Sequence, residues 1–259
     1  MAFSAIQRVQ SLMSFHETES NISHLNRSAC SQIVEVNSWT YEVLLAAAKL
    51  HRDSQGIFDI TIAPQLERWR YLPRQCRNRF RQTSSSNQSS IELLPGNRVR
   101  FHQPVRIDLG GIAKGFAVDK AVEALKTFGV SSALVNAGGD LRVFGSIPST
   151  IHVRHPSAPT QTLPLLQMSE GAFATSAGYF TRKRFRGRWV SPLIDPVQNR
   201  PCTQSISASV QAPTCMLADA LTKVLMIRQK DSAELLKSNS ATGWIITGSG
   251  KVAETPPPK

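Results

Sequence analysis

At 259 residues and 41% hydrophobic content, the chain can form one large domain or two small ones with a sizeable core. No run of about 18 apolar residues occurs, which excludes a spanning helix. The cysteines Cys30, Cys76, Cys202 and Cys215 are scattered without a CxxC pair or Cys/His cluster, which speaks for free thiols and against a disulfide framework. Two clusters, at 68–81 and 181–189, carry much of the net charge of +12. They read either as a footprint for nucleic acid or another acidic surface, or as a solvated hairpin and loop. No helix-turn-helix, zinc-finger or RNP-type pattern accompanies them, so no nucleic-acid partner is expected.

In chain order, residues 1–15 carry Ile6, Val9, Leu12 and Met13 at helical spacing and lack the n-region and long apolar h-region of a signal peptide. The chain as written is therefore expected in the cytoplasm. A second amphipathic helix covers 38–52, with Trp39, Val43, Leu44, Ala47 and Leu50 on one face and Ser38 as N-cap. Gly56 ends it. Residues 82–90 form a low-complexity polar loop, and 91–94 with 97–101 form a hairpin around Pro95–Gly96.

The clearest helix spans 111–128, with Ala113, Phe116, Ala117, Ala121, Ala124, Leu125 and Phe128 as its apolar stripe. Strands follow at 133–135 and 141–144 around Gly138–Gly139, and at 151–154, 162–167 and 205–212. Residues 214–227 form another helix, 244–247 a last strand, and the tail at 253–259 is expected to be disordered. Hairpins mixed with helices, without regular βαβ alternation, predict an α+β fold in one domain over 1–252.

The segment IDLGGIAKGFAVDK, from Ile107 to Lys120, puts an aspartate, two glycines and a lysine at a helix start. Unobstructed backbone amides there bind phosphate, and a lysine adds a point charge for the same anion. This points to a nucleotide-like ligand. The competing readings are local: Asp108 as an N-cap, Lys114 as a surface lysine, Gly138–Gly139 as a hairpin turn, and Asp219–Lys223 as an i,i+4 ion pair.

Seven segments in order resemble the ApbE-type FAD:protein FMN transferases: MSFHETESNISHLN, GIFDITIAP, DLGGIAKGFAVD, VNAGGDLRVFG, ATSAGYF, LIDP and ADALTKVL. They run from Met13 to Leu225. The resemblance implies an ApbE-like α+β fold with mixed and antiparallel sheets. It also implies a Mg2+-dependent enzyme that cleaves FAD, attaches FMN to a Thr or Ser of an acceptor protein and releases AMP. Acceptors in the family are flavin-carrying subunits of redox complexes, which implies peripheral contact with membrane complexes.

By the same resemblance Asp108 and Lys114 contact FAD, and Gly111 offers a backbone carbonyl to the metal, an oxygen suited to a hard cation. Phe58 and Asp59 match the flavin-side pair, although a strand aromatic such as Phe58 equally suits a core. His16 stands where relatives carry a ligand-packing tyrosine. Asn136, Gly138, Gly139 and Asp140 match a turn near the nucleotide, Thr175 and Ser176 an element near the diphosphate, and Leu193 a packing position. Asp219 matches the metal-binding carboxylate that also orients or deprotonates the attacking hydroxyl, and it is the catalytic candidate.

Three departures stand out. Lys223 occupies the place of a threonine metal ligand. At about 4 Å and an effective dielectric of about 20, an ammonium opposes a divalent ion by roughly 8 kcal/mol. Either Thr222 supplies the oxygen, or Lys223 replaces the metal and contacts the diphosphate itself. Pro192 stands where relatives carry a histidine, two positions before Ile194, and a proline cannot shuttle a proton. Relatives also carry an export or lipoprotein signal and an early strand before the first helix of this chain: either the true start lies upstream, or this is a short cytoplasmic form whose missing strand would expose a sheet edge. These departures keep an alternative open: a protein of the same fold that binds FAD without transfer, or only hydrolyses it to FMN and AMP.

Overall fold

The computed structural model describes residues 1–75 and 88–255. The described chain gathers into two compact units. One takes Met1–Ile6, Lys114–Leu193 and the chain from Cys202 onward; the other takes Gln7–Ala113 and Ile194–Pro201.

The opening stretch forms α1 (Ala2–Met13), α2 (Asn21–Ser28), β1 (Val34–Glu35), α3 (Ser38–Asp53), α4 (Ala63–Arg68), β2 (Ile91–Leu94) and β3 (Arg98–Phe101). The three strands make a small antiparallel sheet in the order β1-β3-β2. Helix starts here are set by side-chain acceptors. Ser20 accepts from the Ser23 N–H at 3.0 Å, and Asn37 accepts from the Trp39 N–H at 3.0 Å. The cap of α3 is thus Asn37 rather than Ser38, because Asn21 Oδ1 accepts the Asn37 N–H at 2.8 Å and fixes that residue just outside the helix. The predicted apolar face is realised, with Val43, Leu44, Ala47 and Leu50 buried.

The other unit is built on a longer run: α5 (Ala113–Thr127), β4 (Ala133–Ala137), β5 (Asp140–Phe144), β6 (Ser149–His155), β7 (Ala158–Met168), β8 (Gly171–Ala177), α6 (Gly178–Thr181), β9 (Lys183–Phe185) and β10 (Arg188–Val190). The short pair β11 (Ile194–Asp195) and β12 (Arg200–Pro201) belongs to the unit that holds α3. Then come β13 (Ile206–Ala212), α7 (Cys215–Arg228), α8 (Ala233–Ser238), β14 (Thr242–Thr247) and β15 (Val252–Thr255).

Six strands form one antiparallel sheet, β15-β14-β13-β8-β5-β4. The period-2 alternation of its strands gives two apolar faces. Leu141, Val143, Phe173, Trp244 and Ile246 pack with Ile151, Val153 and Met168 of the β6–β7 hairpin. Ala172 packs with Val118 of α5 and Cys215 of α7. A sheet with helices on one side and a hairpin on the other is the α+β architecture that the pattern predicts.

Several boundaries differ from the sequence reading. Helix α5 begins at Ala113 rather than 111, because Gly111 and Ile112 form the preceding turn. A further strand follows β14: Ala253 to Thr255, assigned to a disordered tail, pair with β14 in β15. Of the polar loop at 82–90, Gln88–Ser90 form a 3-10 turn, and the rest lies outside the described residues, as do Cys76 and part of the basic cluster at 68–81. The second basic cluster is the β9–β10 hairpin, where Arg182 and Arg184 stack on the Trp189 ring at 5.0 and 5.4 Å.

Helices α5 and α7 touch backbone to backbone at Gly115. A Cβ there would lie 2.1 Å from the Cys215 carbonyl oxygen and 2.7 Å from the Met216 nitrogen. Alanine would improve helix propensity by about 1 kcal/mol, but a methyl group against rigid backbone costs more than it gains. Gly115→Ala is expected to destabilise the fold by a net of about 1–3 kcal/mol, lowering the melting temperature by several degrees in circular dichroism; an unchanged melting temperature would contradict the close approach.

Candidate active site

Two lysines and two aspartates meet on the helical side of the six-stranded sheet. Asp140 opens β5, directly after the Gly138–Gly139 turn, and is 1% exposed. Both turn glycines have positive φ, 71° and 105°, as a two-residue hairpin loop of this kind requires. The Asn136 side chain accepts the Gly139 N–H at 2.9 Å and closes the turn. Lys114, in the first turn of α5, reaches across to Asp140 Oδ2 in a direct ion pair.

Asp219 lies on α7 and is fully buried. Its Oδ2 accepts the Gly115 N–H at 3.2 Å. Its Oδ1 pairs with the Lys223 ammonium one helical turn on, and Lys223 Nζ also donates to the Asp219 carbonyl at 2.9 Å. Thr222 Oγ1 donates to the same carbonyl at 2.6 Å. Its single proton is thereby spent, so in the 2.7 Å contact between Ser176 and Thr222 the Ser176 hydroxyl is the donor. Thr175 pairs with Ser209 at 2.8 Å on the neighbouring strand. Thr175 and Ser176 thus belong to strand β8 rather than to a loop.

Electrostatically the four charges hold one another. Burial works against the charge on Lys114, but Asp219 and Asp140 outweigh it and raise its pKa. Burial raises the Asp140 pKa, and repulsion from Asp219 adds to this; Lys223 and Lys114 oppose both. The cluster carries two positive and two negative charges, and the Lys114 side chain remains 54% exposed. An anion arriving there meets two ammonium groups already anchored.

Asp119 is the residue that orients this cluster, and the sequence reading assigned it no role. Its carboxylate accepts the N–H groups of Cys215 at 2.9 Å and Met216 at 2.8 Å, and Arg142 pairs with it at 2.6 Å. Thr214 accepts the Leu217 N–H at 3.3 Å. The first three amides of α7 are thus satisfied, the anionic cap suits the positive helix end, and Asp219 stands one turn further on. Asp119 was present within the motif GFAVDK; that its partners lie 96 and 97 residues away is what hid its role.

Of the remaining candidates, His16, Phe58, Asp59, Asp108 and Gly111 sit in the other unit, whereas Leu193 belongs to the unit of the cluster. Asp108 is held on a segment fixed at both sides: its N–H donates to Ile60 at 2.8 Å, and the Asn26 amide both accepts from and donates to the Ile107 backbone, at 2.8 and 3.0 Å. Burial pushes the Asp108 carboxyl up to about 6, although the Gly110 N–H at 3.2 Å and the charge of His16 pull it down. Gly111 follows in the turn just after Asp108.

Phe58 is 4% exposed with its backbone tied to Ser54 and His51, a core position. Asp59 Oδ1 accepts from the Thr61 N–H and hydroxyl at 2.7 and 2.8 Å, while its buried Oδ2 has no hydrogen-bond partner among the described residues. Such an oxygen is available to a ligand donor. Leu193 is half-buried, with its carbonyl accepting the Cys202 N–H at 2.8 Å. Ser191, just before Pro192, is fully buried and accepts the Leu193 N–H at 3.2 Å.

The raised Asp108 pKa has a definite sign. The fold favours the protonated carboxyl, so its contribution to stability is full below the ordinary value of 3.8 and is lost as pH rises through about 6. A neutral amide does not suffer that loss. Between pH 4 and 7 the wild type is expected to lose up to about 3 kcal/mol relative to Asp108→Asn, read from urea denaturation at each pH; parallel curves would show that the carboxyl is not strained.

The ApbE family model matches residues 1–245. The chain is 27% identical to the FAD:protein FMN transferase of Vibrio cholerae over 86% of its own length and 70% of the relative's. It is 25% identical to the protein of the same name from Haemophilus influenzae, over 93% and 75%. The crystal structure of the Thermotoga maritima ApbE protein superposes with a TM-score of 0.86 at 25% identity, covering 98% of this chain and 87% of that one. The flavinyl transferase ApbE of Pseudomonas stutzeri, in its apo form, gives 0.79 at 23% identity, over 98% and 84%. With a family match over nearly all of its length, this chain belongs to the ApbE family.

Proposed function

We propose that this chain is an FAD:protein FMN transferase, moving FMN from FAD onto a Thr or Ser hydroxyl of an acceptor flavoprotein with release of AMP. The observation that carries the reading is the Lys114–Asp140 and Lys223–Asp219 cluster, a buried carboxylate set among anchored cations where a diphosphate needs charge and a hydroxyl needs a base. The names of the relatives support the same reaction.

In this scheme the acceptor oxygen attacks the FMN-side phosphorus. The new O–P bond forms as the bond to the AMP oxygen breaks, and the hydroxyl proton passes to Asp219. AMP leaves as a phosphate monoester. Phosphoryl transfer of this kind depends on positioning and charge stabilisation. Lys114 holds the diphosphate, and Asp119 and Gly115 keep Asp219 in place. The acceptor is assigned to a redox complex at a membrane on the strength of the family resemblance alone.

The family's Mg2+ does not fit the donors as they stand. Asp219 Oδ1 holds an ammonium, Oδ2 accepts an amide, and the Thr222 hydroxyl is engaged with the Asp219 carbonyl and Ser176. Among the described residues no group of three His, Cys, Asp or Glu could hold a metal. No step here runs through a divalent ion.

Intact-mass measurement of a threonine-containing acceptor domain incubated with the protein and FAD is expected to show a gain of one FMN. That gain should vanish when the acceptor threonine is changed; AMP release without labelling would reduce the activity to hydrolysis. Asp219→Ala is expected to slow transfer by on the order of 10²-fold or more while FAD still binds, checked by flavin fluorescence alongside the mass assay. Unchanged transfer in that variant would remove Asp219 from the chemistry.

A further inference from the structure

We infer that Lys223 is the resident cation of this active site and that its ammonium takes the place of a divalent metal ion, making flavin binding and transfer independent of metal. The inference rests on the transferase reading for the transfer step and on geometry alone for the cation.

The geometry is specific. Lys223 lies one turn after Asp219 on α7, its side chain is 19% exposed, and its Nζ is held by two oxygens of Asp219, the carboxylate Oδ1 and the backbone carbonyl at 2.9 Å. A carboxylate with a neighbouring carbonyl is a hard-oxygen set of the type that binds divalent cations. Here a covalently attached monovalent cation fills it. Thr222, the neutral oxygen nearest in sequence, is committed to Asp219 and Ser176 and is fully buried.

Charge balance agrees. Asp140 and Asp219 are matched by Lys114 and Lys223, so the cluster is neutral as built. A divalent ion entering it would face both ammonium groups, whereas a diphosphate would be welcomed by them. An ammonium carries three donors; with two directed at Asp219, the third remains for a phosphate oxygen. Because the cation is tethered to the helix that carries the base, cation and base are positioned together.

Two measurements separate this inference from the functional reading. Mn2+ binding, read by electron paramagnetic resonance, needs no turnover. Wild type is expected to leave Mn2+ free, and Lys223→Thr is expected to bind it near one equivalent, with circular dichroism confirming that the variant folds. Stoichiometric Mn2+ binding by wild type would overturn the inference even if no acceptor were ever labelled. A variant that folds yet fails to bind Mn2+ would overturn the claim that Lys223 occupies a metal's place.

In the mass assay, wild-type transfer is expected to be the same in excess EDTA and in millimolar Mg2+. Lys223→Thr should lose about 10- to 100-fold in EDTA and recover with Mg2+. Wild-type transfer that collapses in EDTA and returns with Mg2+ would also overturn the inference, while leaving the transferase reading intact. Absence of transfer under every condition would sink the transferase reading and leave the Mn2+ result to decide the cation.

Discussion

The close approach of α5 to the start of α7 is the constraint on which the site depends. Three amides at a helix start cannot be left buried without acceptors. Asp119 takes two of them and Thr214 the third. The approach is possible because Gly115 has no Cβ, and the amide of that same glycine then donates to Asp219. One contact between two helices therefore sets the height, orientation and hydrogen bonding of the buried carboxylate. Burial raises the Asp119 pKa, opposed by the two amides and Arg142, so the cap is itself a charge kept inside by its partners.

From that contact the charges follow in sequence. Asp219 is fixed, Lys223 is fixed by Asp219, and Lys114 rises from the turn of α5 next to Gly115 to meet Asp140 at the Gly138–Gly139 turn. The resulting cluster is neutral and prepared before any ligand arrives. Preorganisation of this kind is how a protein lowers the barrier of a reaction in which it forms no bond itself.

The other unit follows the same logic with different means. Asn26, a residue of the NISHLN segment, clasps the Ile107 backbone from 81 positions away and so holds the turn that carries Asp108 and Gly111. The strained Asp108 carboxyl and the unpartnered Asp59 oxygen are both polar groups that the fold alone leaves incompletely satisfied.

Much of this was legible in the sequence, because the relevant signals are local. The 3.6-residue periodicity of α3, α5 and α7, the alternation of β13, and the Gly–Gly turn between β4 and β5 are set within a few residues, and so the α+β class and the family could be read from order and spacing. The sequence also singled out Lys223, four positions after Asp219. What it left open was decided by contacts between distant positions. Thr222 donates to the Asp219 carbonyl and also meets Ser176, 46 residues away, whereas Lys223 reaches the Asp219 carboxylate. The role of Asp119 exists only because α7 starts against α5, and the cap of α3 moved to Asn37 because Asn21 reaches it. Strand β15 pairs with β14 through backbone hydrogen bonds, for which side-chain pattern gives little warning. Periodicity is written along the chain, whereas the partner of a buried charge is chosen only when the chain has folded around it.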